Sequence, residues 1–277
     1  MNPDQYCAEK AAASGSSFYY SFLFLPPERR RAITALYAFC REVDDVVDET
    51  QDPQLAAMKL AWWRTEVGNL FEGHPNHPVT KALQPFIEKF SVSHEKLGEI
   101  IDGMEMDLTQ TRYLDWPALE RYCHRVAGVV GLLAARIFGY RDARTLEYAR
   151  NLGIAFQLTN IIRDVGEDAR KNRIYLPMDE LKRFDVPAAD ILIARETPQF
   201  NALMRFQDER ARGWYGTAFA ALPAVDRRAQ RPGLIMAAIY KALLDEIVRD
   251  DFRVLSRRTS LTPLRKFWIA WKTWLAA

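Results

Sequence analysis

Five acids stand among the nine residues REVDDVVDE at positions 41 to 49, and two of them, Asp44 and Asp48, are four apart. A second segment, QLTNIIRDVGED, sets Asp164 and Asp168 at the same spacing, following Gln157 and Asn160. Each helical residue advances about 100° around the axis. With Tyr37 at zero, Arg41 falls at about 40°, Asp44 at about −20° and Asp48 at about 20°, a stripe roughly 60° wide with Asp45 on its edge. Gln157, Asn160, Asp164 and Asp168 share a stripe of about 80° on their own helix. Like charges at i and i+4 destabilise an isolated helix by roughly a few tenths of a kcal/mol, so each pair invites a cation. Mg²⁺ suits them, because it is commonly held by one or two carboxylates while substrate phosphates complete its shell.

One such pair alone reads most simply as a solvated polar face. Two pairs with interleaved cations are harder to explain that way. Arg41 and Arg163 lie inside the acidic segments, and Arg170, Lys171 and Arg173 follow the second. Metal ligands beside fixed guanidinium groups suit a polyanion such as diphosphate. Di-iron carboxylate chemistry, which also gathers acids on helices, is excluded. It needs Glu-x-x-His motifs, and none of the four histidines has a glutamate three positions before it.

The elements that would position these residues are helical. LPPERRRAITALYAFCREVDDVVDE starts at Pro26 and Pro27 and meets no breaker before about Glu49. Asp52-Pro53 stops and restarts the chain, and GHPNHP is a turn. Asp115 with Pro117 caps a helix running through YCHRVAGVVGLLAARIF, and another spans ARTLEYARNLGIAFQLTNIIRDVGED after the Gly139-Tyr140 break. Later helices begin near Pro177, Pro187, Pro198 and Pro232. On the YCHRVAGVVGLL helix Tyr122, Val126, Val129 and Leu133 form one expected stripe, and Ala127, Gly128 and Gly131 a bare face for a ligand or a close-packed helix. No strand-length alternation, Gly-rich phosphate loop or low-complexity linker occurs. One all-α domain over residues 1–277 is expected.

The 38 lysines and arginines nearly balance 36 acids, so overall charge makes no case for nucleic acid. Cys7, Cys40 and Cys123 are odd in number and widely spaced, as reduced thiols would be. The charged N-terminus and the lack of a long apolar run predict a soluble chain, expected in the cytoplasm.

At LYAFCREVDDVVDE, YCHRVAGVVG and QLTNIIRDVGEDARKNRIYLP the chain resembles the squalene and phytoene synthase family of head-to-head isoprenyl diphosphate synthases, from about Ser14 to about Arg257. The resemblance implies an isoprenoid synthase fold, a single helical bundle around a central substrate cavity with Mg²⁺ ions at its mouth. It assigns Asp44, Asp48, Asn160, Asp164 and Asp168 to the metals. Tyr37, Arg41, Gln157, Arg163 and Arg173 fall at the diphosphate site, and Tyr122 at the cationic steps. Ser14, Gly15, Ser16, Ser17, Phe18, Tyr240 and Arg257 match further substrate contacts. Ser14 stands where some carotenoid-forming members carry histidine, so a histidine contact is not carried over. Within the family, SGSSFYYSFLFLPPERRRAITALYAFCREVDDVVDE looks most like presqualene diphosphate synthases of the bacterial hopanoid route. That implies condensation of two farnesyl diphosphates, without NADPH, ahead of later enzymes of squalene formation. Phytoene, dehydrosqualene and squalene synthases are the alternatives; a non-enzymatic helical binding protein would leave both aspartate motifs unexplained.

The segment LRKFWIAWKTWLAA sets Leu264, Phe267, Trp268, Trp271 and Trp274 at helical spacing with Arg265, Lys266 and Lys272, and no acid follows Asp251. Residues 262–277 thus read either as an amphipathic helix attached peripherally to the inner membrane face or as a terminal helix docked on the core.

Overall fold

The computed structural model describes residues 2–13, 18–50 and 52–276. Among them the chain forms helices α1 Pro3–Ala13, α2 Phe18–Phe22, α3 Pro27–Glu49, α4 Pro53–Glu72, α5 Pro78–Leu83, α6 His94–Thr109, α7 Trp116–Cys123, α8 Val129–Phe138, α9 Arg144–Arg170, α10 Met178–Arg183, α11 Ala188–Leu192, α12 Pro198–Ala221, α13 Arg231–Arg249 and α14 Pro263–Ala276. There is no strand among the described residues. A single bridge joins Arg112 to Ile174. The expected starts hold for physical reasons: the Asp52 carboxylate accepts from the Gln54 amide and that of Asp115 from the Ala118 amide, satisfying amides that a first helical turn leaves unpaired.

Helix α9 is the axis of the molecule, packed by α12, α8 and α13. Two apolar clusters flank the cavity. One is built on α9, α12 and α13, the other on α3, α4, α6 and α8, and Phe18 and Val126 pack against both. Close approach of α8 to α9 depends on glycine. A Cβ on Gly131 would lie 2.2 Å from the Ala149 carbonyl oxygen, and one on Gly153 would lie 2.3 Å from that of Ala127. These glycines serve helix packing, and Gly131 and Gly153 also line the cavity.

Between α7 and α8 the chain makes one π-turn, His124–Gly128, inside the VAG motif. A π-turn inserts a residue and shifts every later position around the axis. This corrects the expected stripe: Tyr122 and Val126 do line the cavity, but beyond the turn Val130 and Ala134 take the place expected for Val129 and Leu133. Those two are instead buried in the cluster shared with α3 and α6.

Candidate active site

The acids near the C-terminal end of α3 divide by direction. Glu42 accepts from the Tyr6 hydroxyl at 2.6 Å and pairs with Lys10 at 3.0 Å; Asp45 pairs with Lys10 at 2.8 Å, so both tie α1 to α3. Arg41 bridges Asp44 and Asp45, donating to the latter at 2.6 Å. Asp44 reaches the central cavity. Asp48 faces Lys171 at 3.1 Å and Arg173 at 3.3 Å, cations from the loop after α9. That loop is clamped from below: Arg112 donates to the Asn172 carbonyl at 2.6 Å, and the Ile174 amide to the Thr111 carbonyl at 3.0 Å.

On α9, Asp164 accepts from Arg163 (Nε, 2.7 Å) and from Arg258 (Nε, 2.8 Å). Gly166 makes the second contact reachable, because a Cβ there would lie 2.4 Å from the Leu255 carbonyl oxygen and 2.5 Å from that of Val254. Only glycine lets the 254–258 segment cross so near. Asp168 lies close enough to Lys171 and Arg173 to feel both cations. The two acidic helices therefore share a set of cations.

Burial pushes the Asp44 carboxyl up to about 6, against the pull of Arg41 and with help from Asp48 and Asp45. Burial, then repulsion from Asp164 and Asp107, pushes Asp168 up to about 7. Asp164, with two arginines upon it, stays below the ordinary carboxylate range despite burial. Among the described residues no three acids, histidines or cysteines converge closely enough to cage an ion by themselves. The donor set nevertheless fits Mg²⁺ held by one or two carboxylates at a time with phosphate oxygens completing the shell. One buried acceptor there is unpartnered: the Asn160 side-chain carbonyl has no hydrogen bond.

Beneath the acids lie two joined spaces. The outer one is polar and lined by Arg41, Arg163, Arg258 and Lys266. It shares Phe18, Tyr37, Arg41, Asn160 and Tyr240 with an inner, mostly apolar cavity, into which Gln157 also faces. Phe18 packs on Tyr37 with centroids 5.3 Å apart, and Tyr240 on Phe156 at 4.8 Å. Ser14, Gly15, Ser16 and Ser17 lie outside the described residues. Arg257 is not brought to this site. It is turned to Asp250 on the surface, and its neighbour Arg258 occupies the position at Asp164 and Glu167.

A buried carboxylate that the sequence analysis did not single out, Asp107, stands behind Tyr122. The Tyr122 hydroxyl donates to one oxygen of Asp107 at 2.9 Å and that of Tyr175 to the other at 2.8 Å. The Tyr122 and Tyr175 rings stack at 5.2 Å. Burial pushes Asp107 up to about 6, although both phenols and Arg173 favour its charge. Its signal was an acid on the apolar face of α6, three residues after Met104 and seven after Ile100. Arg258 was missed because the segment between α13 and α14 has no helical period to place it, and Lys266 was read only as a cation of the C-terminal helix, with no signal tying it to the chamber.

A family model described as squalene/phytoene synthase matches residues 11–265. The chain belongs to the squalene/phytoene synthase family. It is 34% identical to the 15-cis-phytoene synthase of Synechocystis sp., over 98% of this chain and 84% of that one. It is likewise 34% identical to the phytoene synthase of Arthrospira platensis, over 94% and 88% of the two chains. Among solved structures, a dehydrosqualene synthase in complex with ligand superposes with a TM-score of 0.88 at 28% identity, covering 98% of this chain and 95% of the other. A squalene synthase from Alicyclobacillus acidocaldarius gives 0.81 at 26%, covering 90% and 94%. The all-helical isoprenoid synthase fold and membership among prenyl-transferring synthases follow.

Proposed function

We propose that the protein condenses two farnesyl diphosphates head to head, giving presqualene diphosphate and inorganic diphosphate. The observation that carries this reading is the junction of the two spaces: a chamber lined by three arginines and a lysine opens, past Tyr37 and Tyr240, into an apolar cavity. One molecule with an anionic head and a long hydrocarbon tail fits both. Burying such a tail contributes about 0.8 kcal/mol per CH₂ before ordering costs.

Tail length has a physical limit. Along α3 the cavity-lining residues run from Asp44 down to Ile33, along α9 from Asn160 to Tyr148, along α7 and α8 from Tyr122 to Phe138, and along α13 from Tyr240 to Pro232. Their far ends form one floor, where the Gly233 backbone approaches the Tyr148 hydroxyl and Gln230 donates to the Ala135 and Gly139 carbonyls. From Asn160 to Tyr148 is twelve residues, about 18 Å of helix. An isoprene unit extends a tail by about one helix pitch, so a three-unit tail fits within that depth.

In this reading the first diphosphate leaves with the C1–O electron pair, and the C2=C3 pair of the second molecule bonds to the C1 cation. Loss of a proton then closes the cyclopropane. Asp44, Asp48, Asn160, Asp164 and Asp168 are the residues that would hold Mg²⁺, which would supply charge neutralisation at the leaving diphosphate. Arg41, Arg163, Arg173, Arg258 and Lys266 hold diphosphate charge in fixed positions. Faces of Phe18, Tyr37 and Tyr122 stabilise the passing cation, and apolar walls exclude water that would quench it. No step uses NADPH.

A second reading has support in the names of the relatives: a phytoene-type condensation of geranylgeranyl diphosphate. Incubation with Mg²⁺ and either substrate, with and without NADPH, and mass spectrometry of phosphatase-treated products separates them. Presqualene alcohol from farnesyl diphosphate, unchanged by NADPH, is expected; phytoene, squalene or dehydrosqualene as the main product overturns the farnesyl-to-presqualene assignment.

A further inference from the structure

Helix α14 is attached to the molecule by one face only. Ala270 is buried, and Trp274 stacks on Phe24 with centroids 5.3 Å apart beneath the Arg231 guanidinium. The opposite face is bare and aromatic. Leu264 is 84% exposed, Phe267 49%, Trp268 59%, Trp271 40% and Leu275 57%. At about 100° per residue these five lie within an arc of roughly 100°. The Trp268 and Trp271 rings lean on each other at 5.3 Å, which leaves their outer surfaces in water. Arg265, which also pairs with Glu246 of α13, and the exposed Lys272 flank the arc on one side, and the sequence has six cations and no acid after Asp251.

We propose that this face is a docking surface for a lipid bilayer containing anionic headgroups. Two observations favour lipid over a protein partner. The first is charge: an apolar arc bordered by cations, on an acid-free segment, matches acyl chains beneath phosphates, with tryptophan at the level where the two meet. The second is place. Lys266, immediately before Phe267, lines the polar chamber together with Tyr37, Arg41, Arg163 and Tyr240. The helix that would lie in the headgroup layer therefore also forms a wall of the chamber that takes the diphosphate. An amphiphile already resting in the bilayer, head at the interface and tail in the hydrocarbon, meets that chamber without leaving the interface. Among the described residues no helix is long and apolar enough to cross a membrane, so α14 would lie in the interface. The direction of substrate entry rests on the proposed function, but docking itself does not.

The test is flotation of the full chain with vesicles of phosphatidylcholine alone and of phosphatidylcholine with phosphatidylglycerol, compared with the double variant Trp268→Glu/Trp271→Glu. Wild type is expected to float with the anionic vesicles, and the double variant to lose roughly tenfold in partitioning. Its melting temperature and its activity in detergent should be unchanged, because both residues are exposed. A milder variant, Phe267→Ser, should lose part of the binding and guards against misfolding of the first. Equal flotation of wild type and variants, or none by wild type on anionic vesicles, overturns the proposal. A wild-type dimer that becomes monomeric in the double variant, with no vesicle binding, gives the face to a second copy instead. Flotation needs no turnover, so failure of the lipid surface and failure of the proposed reaction are separate results.

Discussion

Two sets of acids in this protein behave in opposite ways. Glu66 and Asp226 sit in tight nests of donors. Glu66 accepts from the Asn76 amide at 2.7 Å, the His77 amide at 2.8 Å and the Thr80 hydroxyl; Asp226 accepts from the Arg141 amide at 2.8 Å, the Asp142 amide at 3.0 Å and the Thr145 hydroxyl at 2.7 Å. Both carboxyls are held below their ordinary range despite burial. Asp44 and Asp168 are also burdened by burial, yet donors and cations do not outweigh it, and both are pushed up. The first set closes the turn before α5 and joins the loop before α9 to the one before α13. The second is left short of positive charge. A carboxylate that is structurally complete needs nothing more; one that is crowded and under-compensated is where a cation would be stabilised most.

The largest effect that tests this contrast is at the second set. Asp44→Asn and Asp168→Asn are each expected to lower Mg²⁺-dependent diphosphate release by on the order of 100-fold or more. Their melting temperatures in metal-free buffer should equal or exceed that of the wild type, since a penalised charge has been removed. A fall in melting temperature together with activity would return these acids to the structural set.

Asp107 stands between the sets, buried and pushed up like Asp168 but with both oxygens engaged. It lines neither the apolar cavity nor the polar chamber and acts by holding Tyr122 and Tyr175, so it is a positioning residue. Asp107→Asn should lower kcat by roughly tenfold, as when the partner behind a reacting group is lost, while KM and thermal stability stay near wild type. A change confined to KM would place it against substrate instead.

At the first set the expected loss is of stability. Asp226→Asn replaces a charged acceptor of three donors in a fully enclosed site and should cost about 2 kcal/mol in urea unfolding. Activity per folded molecule should be retained. Gly166→Ala crosses the comparison: its methyl group must displace the 254–255 backbone, at about 1–3 kcal/mol by overpacking. It should also pull Arg258 from Asp164, lowering activity as well as stability; lost stability with intact activity would show that Arg258 is dispensable.

Much of this was legible before the structure, because the informative signals are local. Prolines and aspartates mark where α3, α4, α7 and α12 begin, and i, i+4 spacing puts Asp44 with Asp48 and Asp164 with Asp168. Three features were not legible. The π-turn is one inserted residue with no residue type that announces it, and it moved the cavity wall from Val129 and Leu133 to Val130 and Ala134. The 252–262 segment follows no period, so nothing local could say that Arg258 rather than Arg257 meets α9. The choice on α14 between docking on the core and reaching outward was false, since Ala270 and Trp274 do the first and leave Trp268 and Trp271 facing solvent.

The smallest expected effect is on pH dependence, and there the two sets must act with opposite signs. Glu66 and Asp226 have folded values below their unfolded ones, which lie at about 4. They stabilise the fold above that pH, and the contribution is lost as pH falls through the lower folded values. Asp44 and Asp168 are raised, to about 6 and about 7, so their charged forms oppose folding at neutral pH. That opposition fades as pH falls from about 7 through about 6 toward the unfolded value near 4. Metal-free protein should therefore gain melting temperature slightly from about pH 7 down to about pH 5 and lose it again below about pH 4. In Asp44→Asn/Asp168→Asn the upper limb should vanish and the lower remain; in Glu66→Gln/Asp226→Asn the lower limb should flatten and the upper persist. If one double variant flattened both limbs, the two sets would be a single coupled system, and the separation of structural from site acids would fail.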